Sequence, residues 1–271
     1  MTTNQRINSV NQTATLSGDK PTNIQRQAVT GAASYRRNAI ATGVLFLITE
    51  VTSIGSFALY GPLFDHSGYI TSSGSDTPVL LGVLFEIILA MANIGTAVAL
   101  FPVVRKWNEG VALGYAALRT LEGCVIAVGV IPVLAVVTLR HLVGTAGSDP
   151  VTLATIGNVL IALHNWTILL GPGLVCGVNT VLMAYLMYKS GLVPRIIPLL
   201  GLIGGPLVFM VNIGKMFGLY DQIPPLLAIL VLPIFAWEVS LAIWLIVKGF
   251  KSSATTSEPA TAVTNELLSA A

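Results

Sequence analysis

Charged side chains are scarce in this sequence. Asp, Glu, Lys and Arg together make up 10% of its 271 residues, where a typical soluble domain carries roughly 25%. So few charges cannot clothe a water-facing surface, and no soluble catalytic domain fits into this chain. The net charge of +2 is too small and too scattered for nucleic acid to be a partner. Cysteine is rarer still. Cys124 and Cys176 lie inside apolar runs, with no Cys-x-x-Cys and no His at metal-ligand spacing, so they read as small packing residues and no metal site is expected. Gly-x-Ser-x-Gly, His-Glu-x-x-His and Walker-type sequences are missing too. No catalytic set and no cofactor is therefore assigned.

What the chain does have is apolar length. Hydrophobic residues reach 54% and the mean hydropathy is +0.80. Runs at Asn38 to Tyr60, Pro78 to Val104, Gly110 to Leu139, Leu153 to Tyr188, Val193 to Leu219 and Pro224 to Val247 each meet the ~20 residues a membrane span requires. The expected fold is an all-α polytopic bundle of about six spans. The fourth run is too long for one upright helix, and "LLGPG" at Leu169 to Gly173 offers a break. Leu153 to Trp166 is accordingly expected as an interfacial or re-entrant lead-in to a span starting near Thr167. Residues 1–35 and 251–271 are polar and small, and read as disordered tails flanking a bundle at 36–250.

Basic residues give the orientation. Arg6, Lys20, Arg26, Arg36, Arg37, Arg105, Lys106, Lys189, Arg195, Lys248 and Lys251 fall on the tails and even-numbered loops, whereas the opposite loops hold Arg140 alone with Asp65, Asp76, Asp149 and Asp221. The positive-inside rule then places both termini in the cytoplasm of a cell whose plasma membrane holds the bundle. Trp107 and Tyr188 are expected at the inner interface, with Tyr60, Tyr220 and Trp166 at the outer one.

Against this background "GYAALRTLEGC" stands out, because Arg119 and Glu122 sit one helical turn apart within an apolar span. At ~1.5 Å per residue, Glu50 and Glu122 lie roughly 18 Å from the cytoplasmic face, Arg119 roughly 14 Å, and Glu86 roughly 12 Å from the outer face. Glu238 lies nearer the cytoplasm. A charge facing lipid at mid-depth costs about 3 kcal/mol or more, so these groups are expected to face each other or a wet cavity. Tyr115 joins the Arg119 stripe, and Asn93 shares a face with Glu86. His164, in "HNWTILLGPG", is placed near the outer surface. Lys215, near the outer end of span five, can snorkel to water. Four carboxylates against one buried Arg leave negative charge to be balanced by protons or a bound cation. Gly201 and Gly205 have the small-xxx-small spacing of close helix packing.

Several blocks, among them "GVLFLITEVTSIGSFALYGPL", "LRTLEG", "HNWTILLGPGLVCGVN" and "YKSGLVPRIIPLLGLIGGP", resemble the pattern of a bacterial membrane-protein family known as domain of unknown function 4386. The resemblance runs from about Arg36 to Lys248. It implies a bacterial inner-membrane protein of unassigned activity and supplies no catalytic residues. Three classes of function fit the residues. One is a proton-coupled transporter of a small molecule or ion; another is a membrane partner or sensor whose polar network only holds the bundle; the third is an intramembrane enzyme acting on a lipid-type substrate. The bilayer is the one partner the sequence requires, and oligomeric state is not specified by it.

Overall fold

Each apolar run forms a helix, because in a segment this poor in polar side chains the backbone must satisfy its own hydrogen bonds. The structure, a computed structural model, describes residues 23–64, 68–71, 74–143, 149–220 and 224–251, with side chains from residue 33 onward. The helices are α1 (Asn23–Leu59), the short α2 (Gly61–Phe64) and α3 (Gly68–Thr71), α4 (Thr77–Val104), α5 (Glu109–Leu142), α6 (Pro150–Ile168), α7 (Cys176–Ser190), α8 (Ile196–Met216), the short α9 (Pro225–Ala228) and α10 (Leu232–Val247). Six stretches are long and apolar enough to cross a membrane: Ala33–Leu59, Thr77–Val104, Glu109–Leu142, Pro150–Ser190, Ile196–Met216 and Pro225–Val247. The chain is thus an all-α polytopic bundle. Helix α1 reaches back to Asn23, into the segment read from sequence as tail; residues 1–22 and 252–271, with Asp65 and Asp221, lie outside the described residues.

Local chemistry sets the boundaries. The Asn108 side chain accepts a hydrogen bond from Val111 N at 3.0 Å and starts α5; Asp149 does the same for α6 through Thr152 N, also at 3.0 Å, ahead of Pro150. Gly191, at φ 64°, ends α7 in the left-handed conformation.

The fourth span corrects one expectation. Leu153 to Trp166 is neither re-entrant nor a separate interfacial piece, since α6 runs on through a π-helical turn at Leu169–Val175 into α7. Pro172 has no N–H to give to the fourth carbonyl before it. The chain absorbs the mismatch by widening one turn, so that Cys176 N–H reaches Gly171 O five residues back.

The long helices close a ring: α1 packs on α4 and α10, α4 on α5, α5 on α6 and α7, α7 on α8, and α8 on α10. Small residues bring backbones together. A Cβ at Gly205 would stand 2.7 Å from Gly177 O, one at Gly204 2.5 Å from Ile234 N, and one at Gly201 2.8 Å from the Trp237 ring. These crossings lock α8 against α7 and α10, as the glycine spacing predicts. Cys124 departs from its packing assignment and lies exposed, whereas Cys176 is buried.

Burial is inverted relative to a water-soluble protein. Phe57, Met91, Val98, Ile131 and Met210 are each more than 60% exposed, while Glu86, Asn93, Arg119, Glu122, His164 and Asn179 are at most 4% exposed. An apolar exterior around a polar interior is what a bilayer solvent selects.

The two ends of the bundle differ. At the basic end Arg36 donates to the Leu245 and Ile246 carbonyls at 3.0 and 2.8 Å, Lys106 lies over the Tyr35 ring, and Lys251 N donates to Leu192 O. At the far end Asp76, preceding α4, is gripped by Arg140 and His141 from the last turn of α5 and by the Tyr69 hydroxyl at 2.7 Å. Burial alone would raise the Asp76 carboxyl, but the Tyr69 and His141 hydrogen bonds and the Arg140 charge outweigh it and hold the group below its ordinary value. The consequence has a definite sign. A carboxyl lowered by folding adds stability above its unfolded pKa, about 3.9, and that stability is lost as pH falls through the lower folded value. Thermal unfolding followed from neutral to acid pH is expected to show a falling Tm below about pH 4, with a shallower fall in Asp76→Asn; parallel curves would refute this role.

Candidate functional site

The interior polar residues form two groups at different depths. The first is built on α5. Arg119 and Glu122 lie one turn apart, and their side chains pair at 3.1 Å between Nη1 and Oε2, as their spacing predicts. Arg119 Nη1 also stands 3.6 Å from Glu238 Oε1 on α10. Its Nε donates to Thr96 Oγ1 at 3.3 Å, Tyr115 OH donates to the same oxygen at 3.5 Å, and Thr96 in turn donates to Asn93 O at 2.7 Å. The Phe46 ring lies 5.4 Å from the guanidinium carbon, a cation–π contact.

Glu122 is saturated. Asn93 Nδ2 donates to its Oε1 at 3.2 Å, and Asn179 Nδ2 and Arg119 donate to its Oε2 at 2.6 and 3.1 Å. Two helices besides its own, α4 and α7, therefore supply its donors. Because the Asn93 amide must turn its NH₂ toward that carboxylate, its Oδ1 is left as an acceptor. That oxygen is buried and has no hydrogen-bond partner among the described residues.

Beside this network lies a cavity of about 190 Å³, walled by Glu50, Asn93, Arg119, Glu122 and Glu238 together with Thr49, Ser53, Pro172, Cys176 and apolar side chains. Water at about 30 Å³ per molecule can enter a space of that size. Glu50 faces Glu238 across it, and Glu50 forms no ion pair among the described residues. Arg119 Nε and Nη1 are directed to Thr96, Glu122 and Glu238, and the Asn93 and Asn179 amides each donate to Glu122. Acceptors on the cavity wall are Glu50, Glu238 and Asn93 Oδ1. Three carboxylates and one guanidinium give its lining a formal charge of −2, balanced only if protons or a cation occupy it.

The second group corrects the expectation that Glu86 shares one mid-membrane cluster with Glu50, Arg119 and Glu122. Glu86 stands two turns before Asn93 on α4 and is absent from the cavity wall. Its Oε2 accepts from Tyr60 OH at 2.9 Å, and its Oε1 lies 3.6 Å from His164 Nε2. His164 is 1% exposed, not near the surface, and Tyr60 is equally buried rather than part of an outer aromatic belt. Trp166, by contrast, is exposed.

The match to the family described as Domain of unknown function (DUF4386) covers residues 41–249, which include every residue of both groups. The chain belongs to the DUF4386 family. No curated protein and no solved structure matches it.

In this DUF4386 protein the partner of His164 decides which of its ring nitrogens carries hydrogen. His164 Nδ1 lies 2.9 Å from Gly129 O, which can only accept, so Nδ1 carries hydrogen. Nε2 then faces Glu86 Oε1 across 3.6 Å, an ion-pair distance rather than a hydrogen bond. Glu86→Gln preserves this pattern, since its amide accepts from Tyr60 and donates to a neutral Nε2. It is expected to leave Tm nearly unchanged, whereas Glu86→Ala strands two buried polar groups at about 1–3 kcal/mol each. A Tm drop in Glu86→Gln as large as in Glu86→Ala would instead require an imidazolium there.

Sequence reasoning missed Asn179, Thr96 and Tyr60. Thr96 was accessible, lying one turn from Asn93. Asn179 carries no charge and follows the π turn, which shifts its face relative to His164.

Proposed function

We propose that this protein is a membrane carrier that binds a small cation in the α1–α4–α5–α10 cavity in exchange for a proton. The observation that supports it is the gathering of two carboxyls, Glu50 and Glu238, and of Asn93 Oδ1, unpartnered among the described residues, around a space large enough for a ligand. Two carboxyls facing each other do not both ionise easily, so the empty site holds a proton between them and a cation displaces it. Arg119 and Glu122, fully paired, do the structural part. The sensor or scaffold reading thus describes the Glu122 network, while the cavity calls for a ligand. A lipid-acting enzyme is less favoured, because His164 pairs with Glu86 away from the cavity.

The positive-inside rule supports an orientation with the basic end cytoplasmic, in the bacterial inner membrane we propose for it. In proteoliposomes, radiolabelled guanidinium, a permanent cation rich in N–H donors, is expected to enter faster when the lumen is acid than without a pH gradient. Uptake identical in wild type and in Glu50→Gln/Glu238→Gln would sink the proposal.

A further inference from the structure

The cavity is not walled off equally on all sides, and its weak side lies between α1 and α10. These helices run antiparallel in a simple register. Gly43 lies against Ala242 and Ile246, where a Cβ would meet Ala242 O and the Ile246 side chain at 2.7 Å each; one and a half to two turns farther, Glu50 faces Glu238. One turn farther still the same register pairs Ser53 with Phe235. Both line the cavity, yet both are exposed on the outer surface of the bundle. The helices are clamped at the basic end, where Arg36 holds the Leu245 and Ile246 carbonyls, and past the carboxyl pair no described residue covers the cavity's flank.

The rim of that flank is apolar. Ile54 and Phe57 on α1, and Ile229, Leu232 and Phe235 about α10, are between 43% and 73% exposed. Ser53 lies about 9 Å along the helix from the end of α1, and Phe235 about 15 Å from Pro225, so the gap opens within the apolar length of both spans rather than at a water-facing end. A solute that enters here comes from the hydrocarbon layer. The site it reaches one turn inward presents two carboxyls and the buried Asn93 oxygen.

We infer that the substrate is an amphipathic nitrogen cation, an alkylguanidinium or alkylammonium, which enters sideways from the bilayer between α1 and α10. Its head donates N–H bonds to Glu50, Glu238 and Asn93 Oδ1, and its tail lies along Phe235, Ile54 and Leu232. Charge complementarity selects the head, and the apolar rim selects the tail. This inference rests on the cavity reading above and adds the ligand class and the route.

The test compares guanidinium with decylguanidinium as ligands of the protein in lipid nanodiscs, by calorimetry with empty-nanodisc heats subtracted. Decylguanidinium is expected to bind wild type at least tenfold more tightly than guanidinium, and Ser53→Trp, which fills the gap, is expected to abolish most of that advantage. Equal affinities in wild type, or an undiminished advantage in a folded Ser53→Trp, would overturn lateral entry and leave the cavity reading standing. Failure of both probes to bind would overturn the two together. Should Ser53→Trp not fold, decylguanidinium carrying a photoreactive group at its tail end provides the second readout on wild type. Labelling of Ile54, Phe57 or Leu232 supports the route, and labelling confined to other helices refutes it.

Discussion

Arg119→Ala is expected to leave little folded protein. The substitution strips Glu122 of its charged partner while Asn93, Asn179 and the surrounding helices keep the carboxylate buried, and breaking a buried pair from one side costs about 3–5 kcal/mol. It also removes the donor on Thr96 and the cation over Phe46. That sum is comparable with the whole stability of an average domain, about 5–15 kcal/mol. Size-exclusion of detergent extracts should show aggregated Arg119→Ala, with monodisperse protein partly restored by adding Glu122→Gln, because the second change removes the stranded charge. Equal yields of wild type and Arg119→Ala would contradict the structural role given to the pair.

The second large effect separates ligand binding from folding. Glu50→Gln/Glu238→Gln keeps the shape of the cavity and the Arg119–Glu122 pair but replaces the two acceptors that face the ligand. Hydrogen bonds to charged groups contribute about 1.5–3 kcal/mol each, so losing two weakens guanidinium binding by at least about a hundredfold. Stability should fall only by the loss of the 3.6 Å Arg119–Glu238 contact, since the Arg119–Glu122 pair and its Asn donors stay in place. The pairing of outcomes is informative: loss at Arg119 is a loss of protein, whereas loss at Glu50 and Glu238 is a loss of ligand. A variant that folds and binds as wild type does would remove the carboxyl pair from the site.

Much of this arrangement follows from periodicity. Apolar runs long enough to span, with one polar stripe per helix, dictate a bundle whose interior is polar, and the i, i+3 spacing of Arg119 and Glu122 dictates their contact. Which stripes meet is another matter. Depth counted along each helix places Glu86 in the same layer as Glu122, but it cannot say which helix stands opposite. Glu86 meets Tyr60 and His164 because α6 continues through the π turn as one long helix, and that turn depends on how Pro172 packs rather than on hydrophobicity. The same continuity buries His164, which an expected break at "LLGPG" would have left outside. The cavity itself arises from register between α1 and α10, fixed at Gly43 and Arg36, about two and four turns from Glu50.

The central claim is that a cation displaces a proton from the Glu50–Glu238 pair. Its most direct test is calorimetric titration of guanidinium into wild-type nanodiscs in two buffers of different ionisation enthalpy, which counts protons released on binding. The exchange predicts about one proton released per cation at neutral pH, since two facing carboxyls hold one between them, and affinity that rises with pH. Binding with no proton release, at an affinity independent of pH, would contradict it.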